Sequence, residues 1–237
     1  MIQFYAPDIE REGVLPEGES VHCTRVLRMK EGDEITVTDG KGSRFVCEIT
    51  RAHHARTEVT VKSKETIAAA RDYRLTIAVA PTKNSDRIEW MAEKAVEIGV
   101  DRIVLLKCER SERKVLRPDR LLKVMVSAMK QSLGTVLPEL EEVTSLKKFV
   151  EGEGKDVQKF FGYCSDEFPR KSFVNECKAG GEVTVMIGPE GDFTPREVAL
   201  AVSNGFVPVT FGEKRLRTET AGVFAVCAVD VINQRLK

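Results

Sequence analysis

The chain from residue 75 onward alternates short apolar segments with stretches of helical periodicity. Residues 75–80 read LTIAVA, a continuous apolar run typical of a strand that is covered on both faces. A set of apolar side chains then recurs at the spacing of one helical face, namely Ile88, Met91, Ala92, Ala95 and Val96, and Gly99 is suited to end that helix. Strands that alternate with helices predict an α/β fold with a parallel sheet. Further strands are predicted at residues 103–106, 157–163, 183–187 and 207–211, and further helices at 118–132, from 195 and from about 219.

The first part of the chain has the pattern of a small β-domain. Alternating residues predict strands in EITVTDG, SRFVCEITR and RTEVTVK, after a short helix in SVHCTRVLR. Asp39-Gly40 predicts a hairpin, because glycine tolerates the positive φ of a tight turn. Strands of this kind with one apolar face predict a small barrel. The segment KSKETIAAARDY has the character of a linker, so we expect one domain over residues 1–70 and a second over 71–237.

Charge and cysteine content narrow the class of protein. The 237 residues carry 37 Lys and Arg against 37 Asp and Glu, so a nucleic-acid surface would have to come from local clusters of cations. The six cysteines contain no Cys-x-x-Cys pair, which predicts no metal site and mostly buried thiols in a reducing compartment. No secretory leader is apparent, and the longest apolar run, residues 221–229, is too short to span a bilayer. We therefore expect a soluble cytoplasmic protein with no membrane partner.

The segment MIGPEGDFTPREV is a candidate ligand-binding turn. The strand that ends at Ile187 runs into residues 188–191, Gly-Pro-Glu-Gly, at the edge of an α/β sheet where ligands bind. The next helix has an N-cap at Thr194, proline at its first position in Pro195 and a capping box completed by Glu197. The same glycines also fit a plain strand-to-helix turn. The segment has neither a P-loop nor a Gly-x-Gly-x-x-Gly pattern, so a nucleoside triphosphate or a dinucleotide is not indicated.

A second candidate segment, FGEKRLRTETAG, follows the predicted strand that ends at Phe211. Lys214, Arg215 and Arg217 precede a helix start, where the helix dipole already favours anions, so an anionic or electron-rich ligand would offset their charge. For Lys214 and Arg215 we favour the interpretation as a solvated basic loop. Arg217, between Leu216 and the helix, is the candidate for pointing inward.

Two further patterns each leave two interpretations open. The last helix, in TAGVFAVCAVDVINQRLK, is apolar around most of its circumference, so it either forms a subunit interface or is buried within its own domain. Cations cluster at residues 107–123 and again at residues 22–30, and such clusters are either solvated surface or phosphate contacts. Arg25 and Arg28, three apart on the predicted short helix, should share a face.

Together these segments resemble the RsmE-type ribosomal RNA uridine-N3 methyltransferases of the SPOUT class. The resemblance is carried, in order along almost the whole chain, by HCTRVLRMKEGDEITVTDGKG, KNSDRIEWMAEKAVEIGV, AMKQSLGTVLP, IGPEGDF and FGEKRLRTETA. It implies a PUA-like RNA-binding β-barrel over residues 1–70, followed by a parallel α/β SPOUT methyltransferase domain with a trefoil knot over 71–237. It also implies a homodimer with each active site at the subunit boundary.

The resemblance implies S-adenosylmethionine as the cofactor and small-subunit (16S) ribosomal RNA as the partner. Arg217 would favour the uracil anion, since a guanidinium is always charged and presents several donors. Glu219 would accept a proton or orient Arg217, or it is a first-turn carboxylate that the helix dipole favours. The expected cofactor contacts are Ile187, Gly188, Pro189, Glu190, Gly191, Phe211, Gly212, Leu216 and Thr218. The expected RNA contacts are His22, Arg25, Arg28, Lys30, Arg110 and Arg113.

The chain departs from the family pattern in places. Asp192 stands where the family often has a second glycine, Lys130 where it often has Glu, and Leu133-Gly134-Thr135 where an arginine is frequent. These departures affect the expected RNA contacts more than the cofactor contacts. Two other functions stay open: a different SPOUT reaction such as 2′-O-methylation of transfer RNA, and a non-catalytic RNA-binding or ribosome-assembly protein.

Overall fold

The computed structural model describes residues 2–67, 71–111, 118–165 and 168–234. Arg113, one of the expected RNA contacts, lies outside these residues. The chain forms two compact units, the first made of Met1–Ala70 with Val126–Leu137 and the second of Arg71–Met125 with Pro138–Lys237.

The first unit contains a four-stranded sheet. Its strands are β1 (Gln3–Tyr5), β2 (Glu34–Thr38), β3 (Ser43–Arg51) and β4 (Glu58–Thr66), hydrogen-bonded in the order β1-β2-β3-β4. The β1–β2 pair is parallel and the other two pairs are antiparallel. The predicted hairpin at Asp39-Gly40 is confirmed, and Gly40 has a φ of 71° there.

Helical segments share the core of the first unit with these strands. They are α1 (Ile9–Glu12), α2 (Glu17–Val21) and a π-helical turn at His22–Val26. Ile9 and Cys23 are buried in one apolar cluster with Phe45, Cys47 and Ile49, which are alternate residues of β3. The alternation predicted for this segment therefore places one face of β3 in the core.

Two predictions for this unit are wrong. The helical turn ends before Arg28, whose φ is 57°, so Arg25 and Arg28 do not lie on one helical face. The segment expected to be a linker begins at Lys62, but its residues as far as Thr66 belong to β4.

The second unit contains a seven-stranded sheet in which every neighbouring pair is parallel. This confirms the predicted α/β fold. The strands are β5 (Tyr73–Val79), β6 (Arg102–Lys107), β7 (Glu139–Ser145), β8 (Gln158–Gly162), β9 (Lys171–Ser172), β10 (Gly181–Ile187) and β11 (Val207–Thr210). The hydrogen-bonded order is β7-β6-β5-β10-β8-β11-β9. The helices are α3 (Ser85–Ile98), α4 (Pro118–Gln131), α5 (Leu146–Gly152), α6 (Phe173–Glu176), α7 (Pro195–Ser203) and α8 (Thr218–Gln234).

Backbone hydrogen bonds and one ion pair join the segment Val126–Leu137 to the first unit. The Gly42 N–H donates to the Thr135 carbonyl at 2.9 Å, and the Leu137 N–H donates to the Gly40 carbonyl at 2.8 Å. The Lys130 ammonium lies 2.5 Å from the Glu19 carboxylate, and both side chains are largely buried. The end of α4 and the residues after it therefore complete the first unit, although they are distant from it in sequence.

Most cysteines are buried, as the sequence predicted. Cys23, Cys47, Cys108 and Cys177 are buried, Cys227 is half-buried and Cys164 is exposed. Burial raises the pKa of the Cys23, Cys47 and Cys177 thiols to about 11. Among the described residues, no helix has the length and apolar character needed to cross a membrane.

Helix α8 has one face packed within its own unit and one apolar face exposed. Ala225, Val226 and Val229 are buried, whereas Phe224 is 36% exposed and Val231 is 47% exposed. The helix is therefore buried within its own unit on one face, and its other face is exposed.

The buried face of α8 packs closely against α3 at Gly222. A β-carbon at Gly222 would overlap Sδ of Met91 and lie 2.9 Å from its Cγ. Met91 is fully buried, so it cannot move away without disturbing the core.

We expect Gly222→Ala to destabilise the protein, because overpacking a filled core costs about 1–3 kcal/mol. Gly18→Ala is the matched control, since Gly18 also lies in a helix but has no atom within 4 Å of the added methyl; there alanine stabilises a helix by about 0.5–1 kcal/mol. Thermal or urea unfolding measures both changes. Equal effects of the two substitutions would contradict the close α3–α8 contact.

Candidate active site

A cavity of about 460 Å³ lies at the carboxyl ends of β8, β10 and β11 in the second unit. These strands are neighbours in the order β10-β8-β11 and run parallel, so their ends meet at one edge of the sheet. The strand ends and the loops that follow them form the walls, at residues 162–164, at 187–190 with Asp192, and at 209–219. We call it the two-loop cavity, after the second and third of these segments.

Hydrogen bonds hold the two loops against each other. The Thr218 hydroxyl donates to the Gly188 carbonyl at 3.1 Å, and the Arg215 guanidinium donates to the Glu190 carbonyl at 3.1 Å. The Asp192 N–H closes a turn by donating to the Pro189 carbonyl at 2.9 Å. The first two of these bonds restrain one loop relative to the other.

The start of α7 anchors the first loop as the sequence predicted. Thr194 caps the helix by accepting the Glu197 N–H at 3.3 Å, and the Glu197 carboxylate accepts the Thr194 N–H at 2.9 Å. The buried Glu197 also accepts the Glu109 N–H at 2.8 Å, which ties this helix start to the chain after β6. The predicted capping box is confirmed.

Glycines in the cavity walls make room for aromatic rings. A β-carbon at Gly162 would lie 2.7 Å from the Phe211 ring, and one at Gly188 would lie 3.1 Å from the Phe193 ring. Phe211 lines the cavity and Phe193 is buried behind it. Larger residues at either glycine would displace these rings.

The structure brings most of the expected cofactor residues together. The residues that line the two-loop cavity are Ile187, Gly188, Pro189, Glu190, Phe211, Gly212, Leu216 and Thr218, and the expected catalytic residues Arg217 and Glu219 line it too. Gly191 is not among the lining residues. Its β-carbon would face Arg110 at 3.4 Å, and its carbonyl accepts the Arg110 guanidinium at 2.8 Å.

Sequence reasoning missed other wall residues, namely Arg87, Tyr163, Cys164 and Arg170. Tyr163 and Cys164 directly follow β8. The rule that ligands bind at the carboxyl ends of parallel strands could therefore have predicted them as wall residues. Arg87 lies in the first turn of α3, and no local pattern sets it apart from the other charged residues of that helix.

The Glu219 carboxylate is largely buried at the wall of the cavity. Its side chain is 10% exposed, and Oε1 lies 3.8 Å from Nε of Arg87. Its Oε2 is buried and has no hydrogen-bond partner among the described residues. A buried acceptor without a donor is costly, so this oxygen is suited to accept a hydrogen bond from a ligand. Arg217, which the sequence predicted to point inward, is instead exposed, although it does line the cavity.

Asp192 holds two of the loops together from an unusual backbone conformation. Its φ is 61°, a region that few residues other than glycine adopt and that Asp tolerates better than most. Its carboxylate accepts the Cys164 N–H at 3.0 Å and the Phe193 N–H at 2.9 Å. The side chain thus supplies a connection between the first and second wall segments that a glycine at this position would lack.

The expected RNA contacts lie in both units. In the first unit Arg25, Arg28 and Lys30 are exposed, and His22 is half-buried with its ring 5.8 Å from the Phe4 ring. In the second unit Arg110 is exposed and bound to Gly191. No group of three or more His, Cys, Asp or Glu side chains could hold a metal ion in the described part of the chain.

Comparison with known proteins identifies the family. Residues 70–230 match the model of the RNA methyltransferase domain, and residues 15–62 match that of the RNA methyltransferase PUA domain. The chain belongs to the RNA methyltransferase family. The match confirms the resemblance seen in the sequence, and the first of the two domains is PUA-like.

This methyltransferase is similar to a probable rRNA-methyltransferase from Porphyromonas gingivalis, with 40% identity, full coverage of both chains and a TM-score of 0.95. It is also similar to a ribosomal RNA small subunit methyltransferase E from Neisseria gonorrhoeae bound to S-adenosyl methionine, with 26% identity, 98% coverage of both chains and a TM-score of 0.87. The ribosomal RNA small subunit methyltransferase E of Bacillus subtilis is 25% identical over 238 residues, covering 93% of this chain and 90% of that protein.

We expect Asp192→Asn to accelerate labelling of Cys164 by a thiol reagent at a fixed pH near neutral. Although Cys164 is exposed, partial desolvation raises the pKa of its thiol, and the Asp192 carboxylate raises this pKa further. Removing that charge lowers the pKa, so a larger fraction of thiolate is present at the same pH. Peptide mass spectrometry after timed labelling measures the rate, with Cys227 as the internal reference.

Comparison with Asp192→Ala distinguishes the effect of the Asp192 charge from the effect of its hydrogen bonds. It removes both bonds from the Asp192 carboxylate, so we expect a lower melting temperature as well as faster labelling, whereas Asn keeps an acceptor oxygen and most of the stability. Unchanged labelling of Cys164 in both variants would show that the carboxylate does not act on the thiol.

Proposed function

We propose that this methyltransferase uses S-adenosylmethionine to methylate N3 of a uridine in small-subunit (16S) ribosomal RNA in the cytoplasm. The two-loop cavity carries the proposal, because Arg217 and the buried Glu219 stand at the wall of a cavity formed by the two loops that resemble the family's cofactor segments. The names of the similar proteins from Neisseria gonorrhoeae and Bacillus subtilis support the RNA class.

The residues of the two-loop cavity fit S-adenosylmethionine. Its volume of about 460 Å³ is within the usual range for small-molecule sites. Gly188 and Gly212 bring backbone to the wall, and Ile187, Phe211 and Leu216 offer apolar surface for the adenosyl group. When bound, the cofactor supplies an electrophilic methyl group on a positively charged sulfonium.

Arg217 acts on the acceptor base. The N3–H of uracil is a weak acid, and the neutral nitrogen is a poor nucleophile. A fixed guanidinium favours the anion whose charge spreads onto O2 and O4, since arginine remains charged and presents several donors. The positive sulfonium disfavours a second cation beside the methyl group, so Arg217 serves the base rather than the cofactor.

Glu219 accepts the proton that leaves N3 or orients Arg217. Its Oε2 has no donor among the described residues, which supports a direct contact with a ligand. Its position in the first turn of α8 also fits a carboxylate that the helix dipole stabilises.

We assign RNA binding to the PUA-like domain, over residues 1–70, and catalysis to the methyltransferase domain, over residues 71–237, which we propose to contain a trefoil knot. The exposed cations Arg25, Arg28 and Lys30 support phosphate contacts in the first domain, and we include His22 with them. Arg110, exposed beside the first cavity loop, is the corresponding candidate in the second domain.

A homodimer through α8 is part of the proposal. The apolar side chains of Phe224 and Val231 are exposed on one face of this helix, and exposed apolar residues on a helix are suited to an interface.

We expect Val231→Glu to yield monomers, because a charge in an apolar interface is strongly unfavourable. Light scattering or sedimentation measures the oligomeric state. Val231 is 47% exposed, so the substitution leaves the fold of one chain intact, whereas Val226→Glu would place a charge in the core of its own unit. Val202→Glu, at an exposed valine on α7, is the matched control. A wild-type dimer that persists in Val231→Glu would refute this interface.

Arg217→Ala should lose most methylation while keeping its affinity for S-adenosylmethionine within a few-fold. An interaction made mainly toward the transition state affects turnover rather than binding, and loss of one such donor typically costs about 10²–10³ in rate. Arg217→Lys should rescue poorly, since an ammonium lacks the planar fork. Calorimetric titration of the cofactor beside a methyl-transfer assay measures both properties.

Mass analysis of the nucleosides from treated small-subunit RNA tests the reaction itself. We expect 3-methyluridine as the product. A 2′-O-methylated nucleoside would point to a different reaction of the same class, and absence of cofactor binding would point to an RNA-binding protein without catalysis. Near wild-type methylation by Arg217→Ala would remove Arg217 from the mechanism.

A further inference from the structure

A second, more open cavity adjoins the two-loop cavity. Its lining residues from α3 are Asp86, Arg87 and Trp90, and those from the loop before α8 and its first turn are Arg215, Leu216, Arg217, Glu219 and Thr220. All of these except Asp86, Trp90 and Thr220 also line the two-loop cavity. The two cavities therefore share a wall, and a group in the second cavity, which we call the Trp90 cavity, lies next to a ligand in the first.

The side chains of the Trp90 cavity suit an unpaired nucleobase. Trp90 is 45% exposed, and a flat aromatic ring at a surface is a platform on which a base can stack. The exposed Arg215 and Arg217 present donors that match the carbonyl oxygens of a pyrimidine and the phosphates beside it. The Arg215 guanidinium donates to the Glu190 carbonyl, and its remaining N–H groups, together with those of Arg217, favour a polar partner over a purely apolar one.

The Glu219 oxygen that has no donor in the described part of the chain indicates that a base in this cavity should supply a hydrogen-bond donor. Its Oε2 is buried without a donor among the described residues, and its carboxylate lines both cavities. Oε1 faces Arg87 at 3.8 Å, so the free position is on the other oxygen. A ring N–H of a base in the Trp90 cavity would satisfy it.

A third cavity on the other side of the second loop suits a base less well. It is lined by Val174, Phe211, Phe224 and the exposed Glu213, with Arg170 and Ser172. It contains neither Arg217 nor a buried carboxylate oxygen without a donor. Phe224 also belongs to the apolar face assigned to the dimer.

We propose that the Trp90 cavity is the pocket for the acceptor base, a pyrimidine stacked on Trp90 with its ring N–H donated to Oε2 of Glu219. The proposal rests on the proposed function and names the residues that recognise its substrate. In the transfer, the N–H proton passes to Glu219 and the nitrogen lone pair forms the new bond to the methyl carbon. The bond from that carbon to sulfur breaks, and its electron pair stays on sulfur, which becomes a neutral thioether.

The chain contains one tryptophan, so its intrinsic tryptophan fluorescence reports on this cavity alone. We expect saturable quenching when a short uridine oligonucleotide is added in the presence of S-adenosylhomocysteine. The same oligonucleotide with 3-methyluridine should bind more weakly, because it has no N3–H to donate to Glu219.

Substitutions separate stacking from proton transfer. Trp90→Leu should raise KM for RNA by about 5- to 100-fold with little change in kcat, which corresponds to the loss of one base–aromatic stack, and Trp90→Phe should stay close to wild type. Glu219→Gln keeps an acceptor oxygen but is a very poor proton acceptor, so kcat should fall while KM changes little. Val202→Ala, which shortens an exposed side chain on α7, is the control.

Several results would contradict the proposal that the Trp90 cavity binds the acceptor base. An unresponsive Trp90 fluorescence, a wild-type KM in Trp90→Leu, or a wild-type kcat in Glu219→Gln would each do so, provided that the wild-type enzyme methylates RNA. A changed oligomeric state of Trp90→Leu in sedimentation, without an effect of the oligonucleotide on fluorescence, would show that a second copy of the chain covers Trp90. A wild-type protein that methylates no RNA would instead refute the proposed function, and the fluorescence titration would still test the pocket.

Discussion

The hydrogen bond from the Thr218 hydroxyl to the Gly188 carbonyl connects two segments that the sheet alone does not bring into contact. Gly188 follows β10 and Thr218 begins α8 after β11, and β8 separates these strands in the sheet. Because Thr218 is the first residue of α8, the bond places the start of this helix against the first loop. Arg217 and Glu219 flank Thr218, so both reach the cavity wall as a consequence.

The packing of α8 against α3 fixes the other side of the site. Gly222 lies one turn after Thr218, and its lack of a side chain lets α8 approach the buried Met91. Arg87 lies one turn before Met91 on α3, which brings its guanidinium to Glu219 at 3.8 Å. The packing of Gly222 on Met91 and the hydrogen bond from Thr218 to Gly188 together determine where the ion pair of Arg87 and Glu219 forms. The polar site therefore depends on Gly222, although this glycine touches no ligand.

The sequence predicted the buried strands and helices, because burial requires a regular pattern of apolar residues. Strand β5 is covered on both faces from Leu75 onward, where its sequence is a continuous apolar run, and Gly99 ends α3 as expected. The edge strand β7, with the sequence ELEEVTS, was missed because it is mostly exposed and has polar residues where a central strand has apolar ones. The strands β1 and β9 were missed because segments of two or three residues carry no periodicity.

The parts of the site that sequence reasoning did not find depend on tertiary contacts. The joining of Val126–Leu137 to the first unit depends on contacts between residues far apart in the sequence, such as the bond from the Gly42 N–H to the Thr135 carbonyl and the ion pair of Lys130 with Glu19, and no local pattern encodes such contacts. Trp90 belongs to an ordinary amphipathic helix pattern, and only the placement of α8 beside it turns its exposed ring into a cavity wall.

The wall that the two cavities share allows binding in one cavity to affect binding in the other. Arg87 and Glu219 line both cavities, and the ion pair between them is loose at 3.8 Å. A base that donates to Oε2 of Glu219 restrains the carboxylate and, through it, the Arg87 side chain at the wall of the two-loop cavity. A ligand in the two-loop cavity that restrains Arg87 acts on the same carboxylate from the other side. Because a coupling between two binding free energies is reciprocal, any change that the base makes in the affinity for the cofactor equals the change that the cofactor makes in the affinity for the base, and the ion pair is the element that both ligands would share.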